Sequence, residues 1–204
     1  IGQMLVLYIM SLKISKIRGN IDEKEYIEKI KNLKNLPHGI ENSLKTEELI
    51  QVFAKDFLSA KGSMFLGRGS SFPIALEGAL KLKELSYLHA EGYPAGEMKH
   101  GPLALIEDGL PVIILAPKDK YFEKTISNMQ EVIARGGKVL LISDKHDEVI
   151  NENIRFKIEM PYIDELLNPF LLTIPLQLLA YHVALLKKCD IDKPRNLAKS
   201  VTVE

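Results

Sequence analysis

Three ionisable side chains recur at helical spacing near the middle of the chain. Glu77, Lys81 and Glu84 are separated by four and three residues, which places them on one face of an α-helix. An amine held beside a carboxylate can assist proton transfer, and the apolar residues at 74–85 would shield the pair partly from water. The alternative is a solvated stripe of salt bridges, which is common on helices and stabilises them little. The spacing alone favours the stripe.

A loop rich in glycine and serine precedes this predicted helix. Residues 67–71 read Gly-Arg-Gly-Ser-Ser, and Pro73 suits the first turn of a helix. Amides at a helix N-terminus, together with Arg68, would attract an anion, but an ordinary capped turn needs the same residue types. The loop lacks the lysine of a P-loop and the glycine spacing of a dinucleotide site. Ser70 or Ser71 is the expected cap.

A long connection with several glycines and prolines follows the helix, at residues 89–103. Histidine moves protons near neutral pH, so such a connection is a candidate functional loop. A metal site is a weaker interpretation, because the spacing of the acids and histidines matches no known ligand motif. We therefore predict neither a bound metal nor a cofactor. The side chains concerned are His89, Glu91, Glu97, Lys99 and His100.

The hydrophobic pattern predicts an α/β scaffold for these candidates. Short apolar segments at 64–66, 111–116 and 138–142 are typical of buried strands, with helices between them, and 155–160 is a fourth candidate strand. One such helix, at about 120–134, has Phe122, Ile126, Met129 and Ile133 on one face. Alternating strands and helices indicate a mostly parallel sheet flanked by helices.

Helices are also predicted on either side of this centre. Residues 1–17 and 22–33 form two of them, and a third begins at Thr46 as N-cap and runs to about residue 60. Pro37-His38-Gly39 is predicted to be a turn. A last helix covers residues 166–188, and His38, His146 and His182 are interpreted as surface or packing histidines. The polar tail after it lacks an amphipathic pattern, so it is either disordered or bound.

Composition restricts the classes of function. The 204 residues include 27 basic and 27 acidic ones, and a net charge of zero gives no field that favours nucleic acid. The apolar stretch 170–186 is interrupted by Pro175, Gln177 and His182, which favours a buried helix over a membrane span. Cys189 is the only cysteine, so no intrachain disulfide forms. We expect a cytoplasmic protein with no nucleic-acid or membrane partner.

Three separated segments carry a resemblance to a known family. They are Glu77-Gly-Ala-Leu-Lys-Leu-Lys-Glu84, the stretch Lys99-His100-Gly-Pro-Leu-Ala-Leu-Ile106, and the C-terminal Pro194-Arg-Asn-Leu-Ala-Lys199-Ser-Val-Thr-Val-Glu204. Together they resemble the glucosamine-6-phosphate synthase family, the glutamine:fructose-6-phosphate aminotransferases. The resemblance implies a three-layer sugar isomerase (SIS) fold with an extended C-terminal tail. Residues 1–20 resemble the closing helix of a preceding SIS domain, 21–45 a helical connection, 46–189 a second SIS domain and 190–204 a catalytic tail.

The resemblance also implies roles for individual residues. Lys199 would form a Schiff base with fructose 6-phosphate, and Glu84 would move a proton between C1 and C2, assisted by Lys81. His100 would help to open the sugar ring in the active site of the neighbouring subunit, which implies a homodimer. The family's glutaminase domain has no counterpart in these residues, and Cys189 does not replace its nucleophile. The chain alone is therefore expected to be inactive.

A second functional class stays open. SIS domains also serve as regulatory modules that bind a phosphosugar without converting it, and such a module needs neither Glu84 nor Lys199. Within the resemblance, the loop at 67–71 matches the second SIS domain rather than the first, which grips the sugar phosphate. The capped turn is therefore the favoured interpretation of that loop, and its serines are not assigned to the substrate.

Overall fold

The computed structural model describes residues 1–144, 154 and 156–197. Its helices are α1 (Gly2–Ile17), α2 (Glu23–Lys34), α3 (Leu36–Leu44), α4 (Glu47–Ala54), α5 (Ser71–Ser86), α6 (Phe122–Ile133) and α7 (Asn168–Leu186). The strands are β1 (Gly62–Gly67), β2 (His89–Pro94), β3 (Pro111–Leu115), β4 (Lys138–Ser143) and β5 (Phe156–Glu159). Short 3₁₀-helices span Lys55–Leu58, Ala95–His100, Pro102–Leu105 and Glu165–Leu167.

The five strands form one sheet in the order β2-β1-β3-β4-β5. Every neighbouring pair is parallel, with Gly67 opposite Pro94 and Ile113 opposite Leu140 in the register. Parallel sheets are buried on both faces, which explains why the predicted strands read as continuous apolar runs. The four predicted strands are confirmed as β1, β3, β4 and β5.

Alternate residues along the strands enter two separate cores, one on each face of the sheet. Phe65 and Ile113 pack with Leu82 of α5 and Leu176 of α7 on one face. Leu66, the next residue after Phe65 in β1, lies on the other face with α6 and the 3₁₀-helix Ala95–His100. Helices therefore cover both faces, and the expected three-layer α/β architecture is confirmed.

Helix α7 is apolar around most of its circumference, because it lies inside the protein. Thirteen of its 19 residues are buried, and it packs along α5 and α4. The segment Glu165–Leu186 is long and apolar enough to cross a membrane, and 67% of its most apolar window is buried within the protein. The prediction of a buried helix at 170–186 is confirmed for these residues.

Two local predictions are wrong. Pro37-His38-Gly39 is not a turn but lies inside α3, because proline in a first helical turn gives up no intrahelical hydrogen bond. The helix that begins after Thr46 ends at Ala54 and continues only as a 3₁₀-helix. Thr46 occupies the N-cap position, but its hydroxyl donates to the carbonyl of Ser43 at 2.7 Å instead of capping.

Candidate functional site

Helix α5 brings the predicted acid and amine side chains together. Its buried face includes Ala75, Ala79 and Leu82, which leaves the charged face toward solvent. Lys81 Nζ lies 2.7 Å from Glu84 Oε2 and 3.8 Å from Glu77 Oε1. The predicted shared face of these three residues is confirmed.

The Lys81–Glu84 pair lies partly shielded from water. The Lys81 side chain is 33% exposed and that of Glu84 30%. The hydrogen bond to Glu84 raises the pKa of Lys81 above its ordinary value, and this outweighs the opposite effect of burial. Because its pKa is raised, Lys81 remains an ammonium ion at neutral pH. It is therefore suited to hold a carboxylate and to stabilise negative charge, and not to act as a free base.

His100 lies on the other face of the sheet. It ends the 3₁₀-helix Ala95–His100, whose Ala95 and Met98 are buried in the core beneath α6. Helix α5, which carries Glu84, packs in the opposite core, and no hydrogen bond or ion pair among the described residues joins His100 to Glu84. The imidazole itself is exposed. Within one chain, the structure does not bring these two predicted residues together.

The loop at 67–71 is a backbone-capped turn. The amides of Ser71 and Phe72 donate to the carbonyls of Arg68 and Gly69 at 3.0 and 3.2 Å, so they are not directed at a ligand. The prediction that Ser70 or Ser71 supplies a side-chain cap is wrong, since neither hydroxyl caps α5. Gly69 is required here, because its φ is +53° and a Cβ would lie 2.6 Å from the ring of Tyr121.

The connection at 89–103 contains a strand that the sequence did not reveal. Residues 89–94 form β2 at the edge of the sheet, and the candidate metal ligands are dispersed along it and the following 3₁₀-helix. Glu91 accepts a hydrogen bond from the Tyr93 hydroxyl, which raises the pKa of Tyr93 to about 12. Among the described residues, no three His, Cys, Asp or Glu side chains come together as metal ligands.

The C-terminal tail runs back to the end of α5. Lys199 lies outside the described residues, which continue to Leu197. The Tyr87 hydroxyl accepts a hydrogen bond from the backbone N–H of Arg195 at 2.8 Å, and the guanidinium lies 4.1 Å from the Tyr87 ring centroid. Tyr87 directly follows the helix that carries Glu84. The sequence pattern gave no indication of this contact, because the two residues are 108 positions apart.

The remaining candidate residues are the other histidines and Cys189. His182 is 8% exposed and lies 2.9 Å from Glu47 Oε1, as a packing histidine. His38 is exposed on α3. His146 lies outside the described residues. The Cys189 thiol is half-buried, 3.9 Å from the carbonyl of Ser86.

Comparison with known proteins identifies relatives over the whole chain. The family model described as "SIS domain" matches residues 56–187. Glutamine–fructose-6-phosphate aminotransferases (isomerizing) of Bartonella quintana and Bacteroides thetaiotaomicron are 50% and 49% identical over 203 residues. These matches cover 99% and 100% of this chain and 33% of each relative, so the chain spans about a third of their length.

A solved structure supports the same relationship. The C-terminal domain of glucosamine-fructose-6-phosphate aminotransferase from Francisella tularensis superposes with a TM-score of 0.89 at 42% sequence identity. The superposition covers 92% of this chain and 53% of that one. A glucosamine-6-phosphate deaminase from Thermotoga maritima is more distant, with a TM-score of 0.65, 26% identity, and coverage of 93% of this chain and 52% of that one.

Proposed function

Because the chain belongs to the SIS domain family, we propose that it is the sugar-isomerising part of a glutamine–fructose-6-phosphate aminotransferase. The enzyme would convert fructose 6-phosphate and glutamine to glucosamine 6-phosphate and glutamate. One observation carries the proposal beyond sequence similarity: the Lys81–Glu84 ion pair lies on the helix against which the tail bearing Lys199 is anchored.

The proposed reaction uses three side chains. The Lys199 amine adds to the C2 carbonyl of open-chain fructose 6-phosphate and expels water, which gives a Schiff base. Ammonia released from glutamine then replaces the lysine at C2. Glu84 takes a proton from C1 and returns one to C2, while the O1 proton passes to nitrogen, so that the ketose imine becomes an amino aldose. Lys81 orients the Glu84 carboxylate through the 2.7 Å contact.

Borohydride trapping in the full-length enzyme tests these roles. Reduction in the presence of fructose 6-phosphate is expected to label wild type on Lys199 and to leave Lys199→Ala unlabelled. Glu84→Gln should still be labelled but should form product at least about 100-fold more slowly, because it lacks the base. Lys81→Met should also slow product formation, because it removes the ammonium group that orients Glu84; Lys83→Met, on the same helix but exposed, is its control. Persistent labelling of Lys199→Ala would refute the Schiff-base assignment. Full activity of both Lys199→Ala and Glu84→Gln would favour the regulatory module.

We also propose that the enzyme is a homodimer in which His100 enters the partner's site. The elements that carry His100 and Glu84 pack on opposite faces of the sheet, which supports this arrangement. Mixing His100→Ala subunits with Glu84→Gln subunits should restore activity, because a mixed dimer then has one site with both residues intact. Random mixing predicts about a quarter of wild-type activity per subunit. If each His100 served its own chain, no mixed dimer would be active.

The proposal includes a cytoplasmic enzyme that acts on a small phosphorylated sugar without nucleic acid or membrane. Balanced charge and the single cysteine support this setting. Cell fractionation followed by detection of the chain with an antibody would test the location. Recovery of the chain mainly with membranes would contradict it.

A further inference from the structure

The end of α5 has an unusual backbone conformation. Tyr87 has a φ of +59° in the left-handed region, which glycine favours and an aromatic residue rarely adopts. Its N–H still donates to the carbonyl of Lys83 at 3.0 Å, so the helix is capped. A bulky residue in this conformation requires stabilising contacts elsewhere. The phenol supplies them through its two contacts with Arg195, the backbone hydrogen bond and the stacked guanidinium.

The tail follows a defined path before it reaches Tyr87. Lys188, with a φ of +57°, reverses the chain after α7. The Asp190 carboxylate then accepts hydrogen bonds from the amides of Asp192 and Lys193 at 3.1 and 2.9 Å. The residues on either side of Arg195 form a turn in which Leu197 N–H donates to Pro194 O at 3.4 Å. Arg195 is therefore presented to Tyr87 by a locally folded segment.

We infer that Tyr87 and Arg195 are positioning residues that clamp the tail beside Glu84, an inference whose catalytic part rests on the proposed function. Glu84 precedes Tyr87 by three residues, about 4.5 Å along a helix axis. Lys199 follows Arg195 by four residues, at most about 14 Å of extended chain. The contact therefore fixes the chain, four residues before Lys199, at the end of the helix that carries Glu84. Without this contact, only local turns would order the tail after α7. The effective concentration of the Lys199 amine near Glu84 would then fall.

Three substitutions distinguish the effect of the Tyr87–Arg195 hydrogen bond from that of the stacked guanidinium. Tyr87→Phe removes the oxygen that accepts from Arg195 and keeps the ring, whereas Arg195→Ala keeps the backbone N–H and removes the guanidinium. Tyr87→Leu removes both contacts. Hydrogen exchange of the tail amides in the full 204-residue chain should accelerate about threefold in each of the first two variants and about tenfold in Tyr87→Leu. Adding Arg195→Ala to Tyr87→Leu should cause no further change, because no ring remains for the guanidinium.

Steady-state kinetics of the full-length enzyme test the catalytic consequence. Tyr87→Leu should lower kcat about tenfold and leave KM for glutamine unchanged, since the glutaminase reaction does not use the tail lysine. Arg195→Lys should retain a higher kcat than Arg195→Ala, because an ammonium also interacts with the Tyr87 ring. Arg18→Ala, at an exposed arginine after α1, is the surface control and should match wild type.

Hydrogen exchange and steady-state kinetics test separate parts of the inference. Unchanged tail exchange in Tyr87→Leu would overturn the clamp. Faster exchange with an unchanged kcat would overturn the positioning role. A wild-type enzyme that forms no glucosamine 6-phosphate would refute the proposed function, and hydrogen exchange would still decide whether Tyr87 holds the tail. Tyr87→Phe retains the aromatic ring, so it keeps the exchange test decisive if Tyr87→Leu does not fold.

Discussion

Gly92 is the point at which β2 approaches α5 most closely, and Gly92→Ala is a direct test of that packing. A Cβ at residue 92 would lie 2.9 Å from both the backbone N and the Cα of Leu76. Such distances are shorter than real Cβ contacts, and the atoms involved belong to a helix backbone rather than to a flexible side chain. Gly92→Ala must therefore displace α5 from the sheet, and with it the Lys81–Glu84 pair.

The size of the effect follows from two opposing contributions. Inserting a methyl group into a filled interior costs about 1–3 kcal/mol. Alanine also restricts the unfolded chain relative to glycine, which offsets about 0.4–1 kcal/mol of that cost. We expect a net loss of about 1–2 kcal/mol in the free energy of unfolding. For a chain of this size, each kcal/mol corresponds to about 2–4 °C, so Tm should fall by about 2–8 °C.

Thermal and urea unfolding followed by circular dichroism measure this loss. The matched control is Gly2→Ala, because a Cβ there meets nothing within 4 Å, and its stability should stay within about 0.5 kcal/mol of wild type. In the full-length enzyme, Gly92→Ala should also lower kcat, since α5 carries the proposed base. A Gly92→Ala chain as stable as wild type, or more stable, would show that the approach of β2 to α5 is not tight.

Three other substitutions probe different parts of the chain. Lys29→Met removes the 2.8 Å partner of Asp164 and should cost about 2 kcal/mol. Burial alone would raise the pKa of Asp164, but hydrogen bonds from Lys29 and others lower it below the ordinary 3.8. Its stabilising contribution is therefore present above that pH and lost as pH falls further, so the difference in the free energy of unfolding between wild type and Lys29→Met, measured in urea, should shrink as the pH falls below 3.8. Leu82→Ala empties a fully buried position of α5 and should cost about 3 kcal/mol in the same assay. Cys189→Ser should retain stability within about 0.5 kcal/mol and full synthase activity, because the thiol makes only weak contacts at 3.8 and 3.9 Å.

Three of the four strands that the sequence predicted, β1, β3 and β4, have buried residues on both faces, whereas the fourth candidate, β5, is an edge strand buried mainly at Ile158. β3 and β4 read as unbroken apolar runs because no solvent reaches either side of them. β2 was missed because Gly92 and Pro94 interrupt its pattern, and a central strand would not accept residues of these types. β2 is held in the sheet by pairing with β1, and local sequence patterns do not reveal such a contact between separate segments.

The same distinction applies to the candidate site. The pairing of Lys81 with Glu84 was predictable, because helical spacing alone brings residues three positions apart together. The contact of Tyr87 with Arg195 was not, because it depends on how the end of α7 lies against the end of α5. The separation of His100 from Glu84 also required the topology, since both residues belong to consecutive segments of the chain.

That separation has a direct physical cause. β2 is an edge strand, and the chain enters it from α5 on one face of the sheet and leaves it into a 3₁₀-helix on the other. Glu84 lies on the helix that packs on one face of the sheet, and His100 ends the 3₁₀-helix that packs on the other. This arrangement supports the proposal that, at each site, the second of these residues comes from another copy of the chain. Activity of the full-length enzyme should then fall on dilution in step with the fraction of dimer, and no substitution within a single subunit should remove that dependence.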